Sequence, residues 1–185
     1  MTLSALGVLS FGAFSYALTP SDYRWGVALV RVEGGRSLDE SRAVLGSALR
    51  RFAIHRGWKS FGDFVRVYEG GEPAPGSRRA LIYAAPLKDA PPSQVAMVLE
   101  VMRGGVELAG APAEHWAAPS MFARWGLDAS SLETFLRTVR AAVRRRRADW
   151  RWVDVAGTRP PRSNVFVSTV QSRAAGKRVR ILPPA

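Results

Sequence analysis

Residues 19–57, TPSDYRWGVALVRVEGGRSLDESRAVLGSALRRFAIHRG, decide the fold, because they read as two capped helices joined by a glycine turn. Thr19 caps the first helix, Pro20 suits its first turn, and Asp22 three residues on completes the box. Tyr23, Val27 and Val30 then recur at i, i+4 and i+7 on one face. Gly34-Gly35 tolerates the left-handed backbone that ends a helix. Ser37 to Glu40 forms a second capping box. Behind it Val44, Leu45, Ala48, Leu49 and Phe52 make an apolar stripe, with Arg50, Arg51 and Arg56 assigned to the opposite side and Gly57 as the stop.

Working outward, Ser60 to Asp63 opens a shorter helix through Phe64, Val65 and Val67, closed by Gly70-Gly71. Residues 71–92, rich in proline and glycine, read as a loop, and Ser93 to Arg103 as a fourth helix. Residues 112–125 read as irregular apart from a turn after Pro119. A fifth helix is capped over Ser130 to Glu133 and points Leu132, Phe135, Leu136, Val139 and Val143 inward. Trp150 to Val155 and Asn164 to Val170 alternate as strands do, which predicts a hairpin. The expected class is therefore α+β, mainly α, with a small C-terminal β-hairpin.

The flanks read differently. Residues 1–18, MTLSALGVLSFGAFSYAL, carry no side-chain charge. They lack the positive start and small-residue cleavage site of a secretory signal. Gly7, Gly12 and several hydroxyl residues weaken a bilayer span. The expectation is a segment that packs on the domain of residues 19–170 or anchors it in an assembly, with a membrane anchor as the alternative. Residues 171–185 read as a loose basic tail.

The net charge is +12, unevenly spread. Residues 1–136 hold 14 Lys+Arg against 13 Asp+Glu, whereas residues 137–185 hold 13 against Asp149 and Asp154 alone. Arg144, Arg145, Arg146 and Arg147 head this excess, which would attract anionic polymer: cell-wall polyanion, nucleic acid or an acidic protein. No recognition-helix or aromatic RNA-binding motif accompanies it, so sequence-specific nucleic-acid reading is not expected. The chain has no cysteine and two histidines, His55 and His115, which excludes thiolate chemistry and argues against a metal centre; no cofactor is expected. His55, near a helix end, reads as structural. Ser168-Thr169 with His115 lacks the glycine pattern of a nucleophile elbow.

Glu33 stands out because it ends a helix, where the macrodipole disfavours negative charge. If partly buried, such a carboxyl stays protonated to higher pH, as a general acid for glycosidic cleavage requires. From spacing alone a solvated residue before a turn is the simpler account.

Three stretches alter that balance. WGVALVRVEGGRSLDESRAVLGSALRRFAIHRGWKSFGDFVRVY (25–68) resembles the opening of the lysozyme-like cell-wall hydrolases, including the spore-cortex-lytic type and phage relatives. VMRGGVELAGAPAEHWAAPSMFARWG (101–126) resembles their loop before a small aromatic segment, and RSNVFVST (162–169) their closing strand. The pieces fall in the family's order over residues 23–70 and 98–170. The resemblance implies a lysozyme-like domain that cleaves peptidoglycan glycan strands as a muramidase or lytic transglycosylase, with Glu33 as the acid/base. It also implies a cell-envelope or virion-associated setting in a phage or phage-like lytic apparatus. A second carboxylate, if used, would be Glu40, Glu69 or Glu72. Glu40, Tyr68, His115, Trp116, Asn164 and Ser168 are the expected substrate contacts, although for Trp116 a core position is the commoner place for a tryptophan. Two departures stand against this: the family often carries Asn where Arg50 stands, and a Ser-Gln-Pro type segment near Tyr68 to Pro75, which here has no glutamine. The alternative is a non-catalytic structural protein of a virion or injection machine, degenerate from a hydrolase.

Overall fold

The computed structural model describes residues 6–35, 37–55, 57–68, 71–104, 113, 115–141, 150–156, 158, 160, 162–169 and 178–182. Its centre is a helical pair. Helix α1 (Pro20–Glu33) begins at the expected box: the Thr19 hydroxyl accepts from the Asp22 amide, and the Asp22 carboxyl accepts from the Thr19 amide at 2.9 Å. The same carboxyl, 2 % exposed, also takes the Thr19 hydroxyl at 2.8 Å and the Tyr16 phenol at 3.1 Å. Four donor contacts on one carboxyl fix how the chain enters the helix.

Helix α2 (Leu38–Ile54) is capped by Ser37, whose hydroxyl accepts from the Glu40 amide. The reciprocal half of the expected box is missing, since the Glu40 carboxyl turns away to another partner described below. Val44, Leu45, Ala48, Leu49 and Phe52 are all buried, as their spacing requires. The face opposite them is not solvated. Arg50, expected outside, is 2 % exposed and donates to the Ala113 carbonyl at 3.4 Å. Burial pushes its guanidinium down to about 10, still cationic at neutral pH. α2 is covered on several sides by α1, α3 (Phe61–Tyr68), α5 (Pro92–Met102) and strands β1 and β3, so a two-faced reading of it fails.

Two three-stranded antiparallel sheets complete an α+β architecture, about half helical. The expected C-terminal hairpin exists, β4 (Arg151–Val153) pairing with β5 (Val165–Ser168), but β3 (His115–Ala117) adds a strand on the other side of β5. β5 is buried at all four positions because both its faces are covered. Phe166 packs into the main core, while Val165 and Val167 pack into a second cluster around Phe122, Phe135 and Trp150. β5 thus separates two cores.

The other sheet was not anticipated. Residues 7–18 form a hairpin, β1 (Gly7–Phe11) and β2 (Phe14–Leu18), turning at Gly12 with φ +56°. Leu9 and Leu18 are fully buried, so this apolar segment packs on the domain, the first of the two outcomes expected for it. Among the described residues no helix is long and apolar enough to cross a membrane. β6 (Arg180–Leu182) pairs with β1, which corrects the expectation of a loose tail at those residues. Gly7 is needed there: an added Cβ would lie 2.3 Å from the Met102 carbonyl oxygen at the end of α5.

Three further corrections are local. Helix α4 (Arg78–Ala84), capped by Ser77, lies within the expected loop of residues 71–92, and helix α6 (Pro119–Arg124) replaces the single turn after Pro119. In α7 (Leu132–Ala141) Phe135 and Val139 are buried as expected, but Leu132 and Leu136 are 44 % and 38 % exposed. Val143 lies outside the described residues.

Burial and the neighbouring Asp22 charge push the Tyr16 phenol up to about 12. An acid whose native pKa is raised binds more protons folded than unfolded between the two values. Its stabilisation is therefore intact below about pH 10 and is lost as the pH rises toward about 12. Thermal melts of wild type and Tyr16→Phe should show a gap that is widest below pH 10 and narrows across pH 10–12. The Arg50 titration is common to both proteins and drops out of that difference.

Candidate functional site

Residues in or next to seven secondary-structure elements converge on one half-open cleft of about 630 Å³. Glu33, the last residue of α1, faces it with Arg51 from α2, Tyr68 at the end of α3, and His115, Trp116 and Ala117 of β3. Met121, Trp125, Trp150 and Asn164 complete the wall. A cleft built from element ends is rigid at its base and open to variation at its rim.

The turn after Glu33 is held from below. Gly35 has φ +68°, the left-handed region, and an added Cβ would fall 2.0 Å from the Glu40 carboxyl. That carboxyl, 2 % exposed, accepts the Asn164 backbone amide at 2.7 Å. The Asn164 side-chain amide in turn donates to the Glu33 backbone carbonyl at 2.8 Å. Ser41 donates to the Gly34 carbonyl at 2.8 Å. Two carbonyls at the end of α1, which a helix leaves without partners, are thus taken up by side chains from α2 and the start of β5. Glu40 and Asn164 are positioning residues for Glu33. Its own carboxyl is half-buried, and no described side chain hydrogen-bonds or ion-pairs with it.

The cleft wall is aromatic. The Tyr68 and Trp116 rings are 5.1 Å apart, His115 stacks on Trp150 at 5.0 Å, and Trp125 meets Trp150 edge-on at 5.6 Å. The Arg51 guanidinium lies over the Tyr68 ring at 4.5 Å and against the ring nitrogens of His115. Trp116 belongs to the main core at 5 % exposure and also lines the cleft.

Of the residues singled out from sequence, Glu33, Tyr68, His115, Trp116 and Asn164 meet at this cleft. Glu40 and Ser168 do not. Both are buried, Glu40 beneath the glycine turn and Ser168 at the end of β5, so neither is placed to touch a ligand. Glu72 is exposed and lies 3.7 Å from Arg66. His55, the residue after α2, is exposed and away from the cleft. Glu69 and Arg144 to Arg147 lie outside the described residues.

Sequence reasoning missed Arg51, Met121, Trp125 and Trp150. Arg51 had a signal: it stands three residues after Ala48 and seven after Val44, which places it in the apolar stripe rather than behind it. Comparison with models of known protein families, with curated proteins and with solved structures finds no match to the chain.

The clamp makes a stability prediction. Gly35→Ala meets both the left-handed backbone and the Glu40 carboxyl, and should cost about 1–3 kcal/mol in urea unfolding. Glu40→Ala leaves the part-buried Asn164 amide without its acceptor and should cost a similar ~1–3 kcal/mol. Either protein melting like wild type would remove the clamp from the account.

Proposed function

We propose that this chain cleaves peptidoglycan glycan strands on a lysozyme-like α+β scaffold, with Glu33 as the general acid/base. One observation carries the proposal: Glu33 ends its helix inside an aromatic cleft, beside Tyr68, Trp116, Trp125 and Trp150. Pyranose faces stack on aromatic rings because their C–H bonds offer an apolar surface, while the ring edges leave room for hydroxyl hydrogen bonds. A carboxyl at that position donates its proton to the oxygen joining N-acetylmuramic acid to N-acetylglucosamine, and the bond to the anomeric carbon breaks.

The cation forming at the anomeric carbon must then be met by a nucleophile. A retaining hydrolase places a second carboxyl about 5–5.5 Å from the first, an inverting one roughly 6.5–9.5 Å away. Among the described residues Glu33 is the one carboxyl that lines the cleft. This supports the single-glutamate route, in which the sugar's own C6 hydroxyl attacks and passes its proton to the Glu33 carboxylate. The product is an anhydro-muramyl end, and the enzyme returns to its starting state. Such an activity belongs at the cell envelope, in a phage or phage-like lytic apparatus. The structural-protein alternative loses part of its support, because the apolar segment it would use as a contact is folded into the core at Leu9 and Leu18.

Purified sacculi supply the test. Wild type should clear their turbidity, and Glu33→Gln should lower the rate by about 10²-fold or more without changing the melting temperature. Mass spectrometry of the products should show anhydro-muramyl ends, each lighter than a reducing end by one water. Full activity in Glu33→Gln would end the proposal, and reducing ends alone would replace the single-glutamate route with hydrolysis.

A further inference from the structure

The cleft holds a charged group that the proposed reaction does not use. Among the described residues lining it, Arg51 is the one guanidinium, on a different helix from Glu33. Its guanidinium is held in place by aromatic rings, with Tyr68 beneath it at 4.5 Å and His115 at its edge. No described carboxyl pairs with it. A half-buried guanidinium has given up part of its hydration, and stacking on an aromatic ring fixes the plane of its donor fork. It retains N–H groups beyond the one turned to His115. That fork matches a carboxylate in two parallel hydrogen bonds, which the hydroxyls and acetamides of a neutral glycan cannot supply with charge.

We propose that Arg51 binds a carboxylate carried by the glycan itself, the free lactyl group of N-acetylmuramic acid. This rests on the glycan-cleaving function proposed for the same cleft. Two sources of carboxylate exist in peptidoglycan: the lactyl ether on the sugar ring and the acidic groups of the stem peptide. The lactyl group is attached to the ring whose anomeric bond is cut, so a sugar placed against Glu33 carries it within the same cleft as Arg51. Stem-peptide carboxylates lie many bonds farther out. In intact wall the lactyl group is bound to the peptide as an amide and carries no charge. The preferred substrate is therefore a glycan already stripped of its peptides, and the reaction that supplies it is hydrolysis of the lactyl amide.

The test uses the full chain carrying Glu33→Gln, so that bound sugars are not cut, and isothermal calorimetry at low salt. Three ligands are compared: N-acetylglucosaminyl-N-acetylmuramic acid, the same disaccharide with its lactyl group as the methylamide, and N,N′-diacetylchitobiose. The free acid should bind about tenfold more tightly than either neutral ligand, the amount expected of one charge-assisted pair. Adding Arg51→Gln should bring the three affinities together, and Arg51→Lys should restore part of the preference. The acid-to-methylamide ratio is read without any change at Arg51, so it stands even if the Gln variant unfolds. Equal affinity for acid and methylamide overturns the inference and leaves the glycan reading intact. A preference that survives in a folded Arg51→Gln protein also overturns it. Failure of all three to bind overturns both. An arm with the disaccharide carrying an L-alanyl stem residue, whose carboxylate lies one residue farther out, separates the two sources: binding as tight as the free acid would assign Arg51 to the peptide and overturn the lactyl assignment.

Discussion

A single buried carboxyl ties the candidate site to the rest of the molecule. Glu40 sits in the first turn of α2, where its negative end is favoured by the helix dipole, yet it spends its hydrogen bonding on a residue 124 positions away. By accepting the Asn164 amide it brings the start of β5 beneath the turn that ends α1. Asn164 then takes the Glu33 carbonyl, and the left-handed Gly35 leaves room for the carboxyl between them. This contact and the Asn164–Glu33 bond together hold the end of α1 against the sheet that carries His115 and Trp116. The Glu40 carboxyl at its centre is buried and the bonds to Asn164 are partly so, which makes each count for more than the same bond in open water.

Around that point the two cores divide the labour. The main core packs α1, α2, α3 and α5 against the sheet of β1, β2 and β6, whereas the smaller one gathers α6 and α7 against β4 and β5. The cleft takes residues from both: Trp116 from the larger, Trp150 from the smaller. Its two walls are therefore anchored in separately packed units that share β5. Rotation of one about that strand would change the width of the cleft while leaving Glu33 and its turn in place.

Much of this was legible in the residues. The helices and turn of 19–57 follow from caps, glycines and apolar spacing, all of them local signals, and the Thr19–Asp22 box forms as written. What failed was non-local. Glu40 was read as a capping partner because its neighbour Ser37 is near in sequence, while the Asn164 amide it prefers is far away. Arg50 was placed outside because charge predicts exposure, but a helix packed on several sides has no outer face. The hairpin of residues 7–18 was hidden because the absence of side-chain charge drew the reading to a membrane or packing segment, although Phe14-Ser15-Tyr16-Ala17-Leu18 alternates as a strand does. Glu33, Tyr68 and Asn164 end or flank elements whose limits were readable, whereas His115 and Trp116 lie in β3, a strand that the irregular reading of residues 112–125 did not foresee. Trp125 and Trp150 were missed since nothing in their immediate surroundings says which of a chain's tryptophans show an edge to a cavity.

The pairing of β1 with β6 joins residues near the two ends of the sequence: Leu9 faces Ile181 across it. Ordering such a contact early would close a loop of nearly the whole chain at a large entropic cost, so it is naturally among the last to form. During synthesis the hairpin of β1 and β2 emerges well before β6 and carries an unpaired strand edge until β6 leaves the ribosome. For that interval the nascent protein exposes a short sticky border, which a chaperone or a second nascent copy is able to occupy.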